Sequence, residues 1–382
     1  MKKPTFITDY SCVTPLGFDT ASNWENLIAG KSGIARHAVV ENQDPFYTSM
    51  IPDDLLNEEF NRHFDGADYT RLEKMLLLCL KPLVEKHGIT EHTGLILSTT
   101  KGNVTLLKNQ PPLPEGAYLS VLAQKMADHF GFTSKPVVIS NACVSGVLAL
   151  AVAKNMIAAG TYTDAFVIAG DEVSEFVLSG FNSFQAIAPE PCKPYDASRN
   201  GINLGEAAAA AYVTSSPAGH APICFKISGD SSVNDANHIS GPSRTGDGLY
   251  ISISHAMKEA GVTSETIDFI SAHGTATLYN DEMESIAFGR AGLQHIPLHS
   301  LKGFYGHCLG ASGLLESIIA MESALHGTLI RSKNFQENGV SGTLDIITEN
   351  RPAEITHILK TASGFGGCNA ALVLEKCSTP GL

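Results

Sequence analysis

The chain has 382 residues, 43% hydrophobic and 17% charged, which is enough apolar material for a large core that needs no disulfide staples. A formal net charge of −13 without a basic stripe excludes nucleic acid as a partner, and no apolar stretch reaches the roughly 20 residues of a membrane-spanning helix. Asp9 interrupts the apolar run a secretion signal would need, and the eight cysteines form no CxxC pair, so a reducing cytoplasmic location is expected.

Short β-rich runs, Gly-rich turns and amphipathic helices alternate along the chain, the pattern of an α/β protein. Residues 72–87 form a predicted helix that Pro82 should kink or break. Predicted strands follow at 94–98, 137–140, 164–169, 267–271 and 370–374, most of them near-continuous apolar runs suited to sheets covered on both faces. The run 137–140 leads through Asn141-Ala142-Cys143-Val144-Ser145-Gly146 into a helix closing at Gly160. The run 297–301 leads in the same way through 302–313 into a helix ending at Gly327, so the two segments read as variants of one unit. The Pro- and Ser-containing stretch 215–222 predicts the boundary between an N-terminal half, 1–216, and a C-terminal half, 217–382. A second loose region is expected at 108–116.

Three residues carry the predicted chemistry. Cys143 sits where a strand turns into a helix, and backbone N–H groups there favour a thiolate. His273 follows the strand ending at Ser271, the end of an α/β sheet where sites gather. His307 holds the matching place in the second unit. If the two units pack about a pseudo-twofold axis, a thiol meets two N–H donors, a set suited to acyl transfer. Lys302 lies just upstream, and Glu284 is its expected counter-charge. The Gly-rich run Ser363-Gly364-Phe365-Gly366-Gly367 lets backbone amides approach a ligand. The cysteine and histidines are too widely spaced in sequence for a local zinc motif, and no metal or cofactor is expected.

Together these segments resemble the β-ketoacyl-acyl-carrier-protein synthases of the thiolase superfamily, in the branch with one cysteine and two histidines. Val13-Thr14-Pro15-Leu16-Gly17, Asn141 to Gly146, Lys193-Pro194-Tyr195-Asp196, Gly205-Glu206-Ala207, His273-Gly274-Thr275, Asp281 with Glu284, Lys302, Gly306-His307 and Phe365-Gly366-Gly367 fall in the family's order. The resemblance implies a thiolase-like fold, five-layered αβαβα, built from two similar halves and usually dimeric, either as a homodimer or with a second synthase-like subunit. It implies an acyl chain carried on Cys143, with its carbonyl oxygen on the N–H groups of Cys143 and Phe365. It also implies malonyl decarboxylation assisted by neutral His273 and His307. Lys302 with Glu284 would organise the site and Phe365 would gate it, within a loop that includes Gly364, Gly366 and Gly367. The implied partner is an acidic acyl carrier protein, for which Arg62, Arg71 and Lys74 are the expected docking contacts.

The chain departs from the family pattern in a short segment between Gly102 and Cys143, in Ser363 where a phenylalanine is common, and in Cys368 where a threonine is common. These departures motivate a specialised polyketide- or polyene-type pathway as an alternative to housekeeping fatty-acid elongation. Two rival readings are a biosynthetic thiolase that uses Cys368 as a base and a chain-length-factor-like partner that keeps the fold without condensing.

Overall fold

The computed structural model describes residues 3–379 except 42, 66–67, 108–111, 220 and 236–240. The expected loose region at 108–116 and the boundary stretch 215–222 therefore fall partly outside the described residues. Ten strands build the large sheet: β1 (Phe6–Val13), β2 (Thr93–Ser98), β3 (Val137–Ile139), β4 (Asp164–Asp171), β5 (Ala207–Thr214), β6 (Ile223–Asn234), β7 (Phe269–Ser271), β8 (Leu298–His299), β9 (His357–Gly364) and β10 (Cys368–Ser378). Their hydrogen-bonded order is β8-β7-β9-β10-β6-β1-β5-β4-β2-β3. Reading outward from the β1–β6 junction, the two sides repeat one order, β1-β5-β4-β2-β3 and β6-β10-β9-β7-β8. Each side has two antiparallel pairings followed by two parallel ones.

Helices occupy matching places on the two sides. α1 (Arg71–His87), α2 (Leu119–Phe130) and α3 (Ser145–Ala158) connect the first set of strands, and α4 (Asp247–Ala260), α5 (Leu278–Arg290) and α6 (Ser312–His326) the second. The period-two geometry of a strand explains the layering. Leu95 and Leu97 of β2 face a cluster with α1 and α2, whereas Ile96 between them faces α3 and α6. On the other side, Ile270 and Leu359 join α4 and α5, and Phe269 and Ile358 face the inner pair. Five layers result. α6 is buried from Ser312 to Ala324 because it lies between the two sides of the sheet, which is why small and apolar residues occupy most of its surface.

The close contact of α3 and α6 rests on glycine. A Cβ at Gly146 would lie 2.6 Å from Leu314 N, and one at Gly313 would lie 2.7 Å from Val147 N. Each helix start therefore needs the other's missing side chain, and this contact brings the Cys143 turn beside the His307 turn. α1 shows no break at the expected place. It runs through Pro82, secured by a capping box between Thr70 and Glu73 and by burial of Leu72, Leu76, Leu80 and Leu83. Burying each leucine contributes about 2 kcal/mol, and together they offset the hydrogen bond that proline cannot make.

Candidate active site

The nucleophile turn is built by local hydrogen bonds. Asn141 N donates to Ser145 Oγ at 2.7 Å and Ser145 Oγ donates to Ala142 O at 2.6 Å. Ala142 adopts φ 44°, a left-handed conformation that is strained for a residue with a Cβ. The following residue, Cys143, is buried, with its thiol toward the second half. Opposite it, Gly306 at φ 68° turns the chain so that His307 Nε2 reaches 3.1 Å from Cys143 Sγ. His307 Nδ1 accepts the Leu309 amide proton at 3.2 Å and lies 3.1 Å from Ser312 Oγ. A backbone N–H can only donate, so Nδ1 is unprotonated and the ring proton sits on Nε2, facing the sulfur.

His273 completes the group. Ligating atoms of Cys143, His273 and His307 all lie within 4.8 Å of one another, and the two imidazoles meet edge to face with centroids 5.2 Å apart. His273 is aimed through its backbone, because its Nδ1 is buried without a hydrogen-bond partner. Its N–H donates to Glu284 Oε1 at 2.9 Å, and its carbonyl accepts from Lys302 Nζ at 2.9 Å. Glu284 also accepts from Gly274 N at 2.7 Å and Tyr195 Oη at 3.0 Å.

The expected Lys302–Glu284 ion pair is not present. Lys302 instead pairs with Glu316 of α6, whose other oxygen accepts from Lys360 Nζ at 2.6 Å. Glu284 is taken up by the backbone N–H groups at the end of β7, so the two residues hold His273 from opposite sides without touching. Glu316 and Lys360 were absent from the sequence reading. Each stands inside an otherwise apolar run, and that is the signal that could have found them.

Burial decides the protonation states. It pushes the Cys143 thiol up to about 12, although Lys302 and the Phe365 backbone N–H act in the other direction. The thiolate expected from helix-start position is therefore not the resting form, since α3 begins only at Ser145 and burial outweighs the local N–H groups. Burial, reinforced by Lys302, also holds both histidines well below their ordinary value, so they are neutral at physiological pH. Alkylation of Cys143 by iodoacetamide, located by peptide mass spectrometry, should rise about tenfold per pH unit between pH 7 and 10, because the thiolate fraction grows in that proportion below its pKa. A plateau starting below pH 8, the mark of a thiolate–imidazolium pair, would contradict this assignment.

A cavity of about 590 Å³ opens onto the three residues. Gly364 lies against the nucleophile, since a Cβ there would be 3.0 Å from Cys143 N. Phe365 stacks on Phe181 at 5.3 Å and meets Phe184 edge-on at 5.5 Å, forming an aromatic wall at the mouth. Gly366 at φ 86° and Gly367 at φ 78° continue this loop in conformations that disfavour a side chain. Cys368 Sγ donates to Asn141 Oδ1 at 2.8 Å and is not one of the three converging groups.

Sequence spacing proved a poor guide to metal binding here, because the fold brings Cys143, His273 and His307 as close together as the ligands of one ion. Two buried ammonium groups, on Lys302 and Lys360, disfavour adding a divalent cation beside them.

Of the expected docking residues, Arg71 is committed elsewhere. Its Nε donates to buried Glu206 at 3.0 Å and its other nitrogens pair with Asp53 and the Ile51 carbonyl. Arg62 is paired with Glu58 and Glu59 on its own helix. Lys74 donates to Asn57 Oδ1 at 2.7 Å and lies over the Phe60 ring.

The family model described as beta-ketoacyl synthase, N-terminal domain, matches residues 2–217, and the corresponding C-terminal domain model matches residues 225–336. The chain belongs to the β-ketoacyl synthase family. Its similarity to a putative mitochondrial 3-oxoacyl-[acyl-carrier-protein] synthase of Schizosaccharomyces pombe is 28% identity over 98% of this chain and 99% of that protein. A Coxiella burnetii 3-oxoacyl-[acyl-carrier-protein] synthase 2 is 27% identical over 98% and 99% of the two chains. A ketosynthase structure from Xenorhabdus doucetiae, solved in complex with its chain length factor, superposes with a TM-score of 0.84 at 24% identity, covering 98% of each chain, and so shares the fold. As a β-ketoacyl synthase family member, the chain is a thiolase-fold condensing enzyme of the acyltransferase class, and the thiolase reading is set aside. No helix among the described residues is long and apolar enough to cross a membrane.

Proposed function

We propose that this chain catalyses decarboxylative condensation of an acyl group held on Cys143 with a malonyl thioester, both delivered by an acyl carrier protein. The observation that carries the reading is the approach of His307 Nε2 to 3.1 Å from Cys143 Sγ, with His273 beside them. In the first half-reaction Sγ attacks the acyl thioester carbon. A new C–S bond forms, the carrier's C–S bond breaks, and the Cys143 proton leaves with the carrier thiol. The Cys143 and Phe365 N–H groups hold the transient oxyanion. In the second, the Nε2–H groups of His273 and His307 donate to the malonyl thioester oxygen. The bond to the carboxylate breaks, carbon dioxide departs and its electron pair becomes the enolate. The enolate carbon attacks the acyl carbonyl, the new C–C bond forms as the C–S bond to Cys143 breaks, and the expelled thiolate takes up one proton from solvent to restore the thiol.

Glu284 and Lys302 position His273 in this scheme, and the Gly364–Gly367 loop moves with Phe365 between the two half-reactions. The protein works as a homodimer or beside a second synthase-like subunit, in the cytoplasm, with Arg62 and Lys74 as the remaining docking candidates for an acidic carrier. The division after residue 216 is part of the same proposal, supported by the repeated strand order on either side.

The test incubates purified protein with acylated and malonylated carrier. Peptide mass spectrometry should find the acyl mass on Cys143, and carbon dioxide should be released from the malonyl carrier. Absence of both would favour a chain-length-factor-like partner that does not condense.

A further inference from the structure

Position 360 ought to be apolar. On β9 the residues on either side in the strand's alternation, Ile358 and Ala362, pack into the inner core, and Lys360 points the same way with no exposed surface. A lysine stem ending in an ammonium is costly there unless its charge is fully used. Lys360 Nζ donates to the Thr361 carbonyl at 2.8 Å, to the Ser271 carbonyl at 3.1 Å and to Glu316 Oε2 at 2.6 Å, with the Ala272 carbonyl at 3.5 Å. Lys302 Nζ takes the next carbonyl along, that of His273 at 2.9 Å.

Three successive carbonyls, 271 to 273, therefore converge on two ammonium groups that share one carboxylate. Burial pushes the Glu316 carboxyl up, yet the two lysines outweigh it and hold Glu316 below its ordinary range, so it is ionised. Two cations thus face one carboxylate on the carbonyl side of His273, while the other buried carboxylate, Glu284, lies on its N–H side, with burial pushing its carboxyl up. The histidines themselves are neutral and contribute no charge.

We infer that Lys360 is a second positioning lysine of the condensing centre: it fixes the end of β7 that carries His273 and supplies positive charge on the carbonyl side of that residue, which favours the enolate. This rests on the condensing function proposed above. The charge acts where the carboxylate leaves and its electron pair moves onto the thioester oxygen. It has little to act on during acyl transfer, in which the oxyanion rests on backbone amides of the Cys143 turn and the Phe365 loop. Its effect should divide unequally between the half-reactions.

The test is Lys360→Met in the full-length protein, with rates normalised to the folded fraction isolated by size-exclusion chromatography and checked by circular dichroism, so that unfolded protein is not counted. Malonyl decarboxylation should fall about 100-fold in kcat with KM changed less than about threefold, while acylation of Cys143 stays within about threefold of wild type. Lys360→Arg, which keeps the charge, should recover decarboxylation to within about tenfold of wild type. If methionine is not tolerated beside Glu316, Lys360→Gln is read in the same way. Equal loss in both half-reactions, or no loss in either, overturns the assignment while leaving the proposed function standing. A wild-type protein that neither acylates nor decarboxylates overturns both.

Discussion

Cys143→Ala is expected to lower condensation by roughly 10⁴-fold, because no acyl-enzyme can form and the remaining groups do not act as a nucleophile. Malonyl decarboxylation should survive within about tenfold of wild type. His273 and His307 keep their N–H donors, and alanine preserves the Cβ that faces Gly364. No other thiol takes over. Cys308 is buried with its Sγ 3.5 Å from the Tyr305 carbonyl, and Cys368 donates to Asn141 Oδ1. Carbon dioxide release and the mass of the carrier-bound product, measured on one sample, read both outcomes. Product formation within tenfold of wild type would remove Cys143 from its assigned role, and parallel loss of decarboxylation would mean that the thiol itself stabilises the enolate.

Cys143, His273 and His307 were legible in the sequence because each sits at a strand end or helix start whose local pattern occurs twice. Similar local units folding on similar local rules is enough to bring them to one place, given glycines at 146 and 313 that let the units meet. The partner of Lys302 was not legible. Glu284 looked suitable from its distance along the chain, but a carboxylate near the end of a parallel strand finds unpaired backbone N–H groups first, and those of His273 and Gly274 capture it. Glu316 reaches Lys302 from the inner helix layer, and only the side-chain direction on α6 places it there. Arg71 was expected as a docking contact from its place at a helix start, and Glu206, distant in sequence, draws its guanidinium inward. Neither the Phe181–Phe184–Phe365 wall nor Lys360 has a local pattern from which its contacts could be inferred. A charged residue in an apolar strand was nevertheless a visible anomaly, and it marked a site.

His307→Ala should lower malonyl decarboxylation by about 10²- to 10³-fold, the usual cost of removing one oxyanion donor. The argument runs through the tautomer. The Leu309 amide fixes Nδ1 as an acceptor, so Nε2 presents its proton to the cavity at all times and no rearrangement is needed when the thioester oxygen arrives. Acylation of Cys143 should fall much less, since that oxyanion does not depend on the imidazole. Alanine also leaves the Leu309 N–H without its acceptor, at a cost of about 1–3 kcal/mol in stability, which thermal unfolding will register separately from the rate. The pH dependence supplies the second check. With burial holding both imidazoles well below their ordinary value, they stay neutral above it, and wild-type decarboxylation should show no inflection between pH 6 and 8 that His307→Ala removes. An inflection near 6.5 lost in the variant would mean that His307 titrates normally in the working enzyme, which would make it a candidate base for the Cys143 thiol.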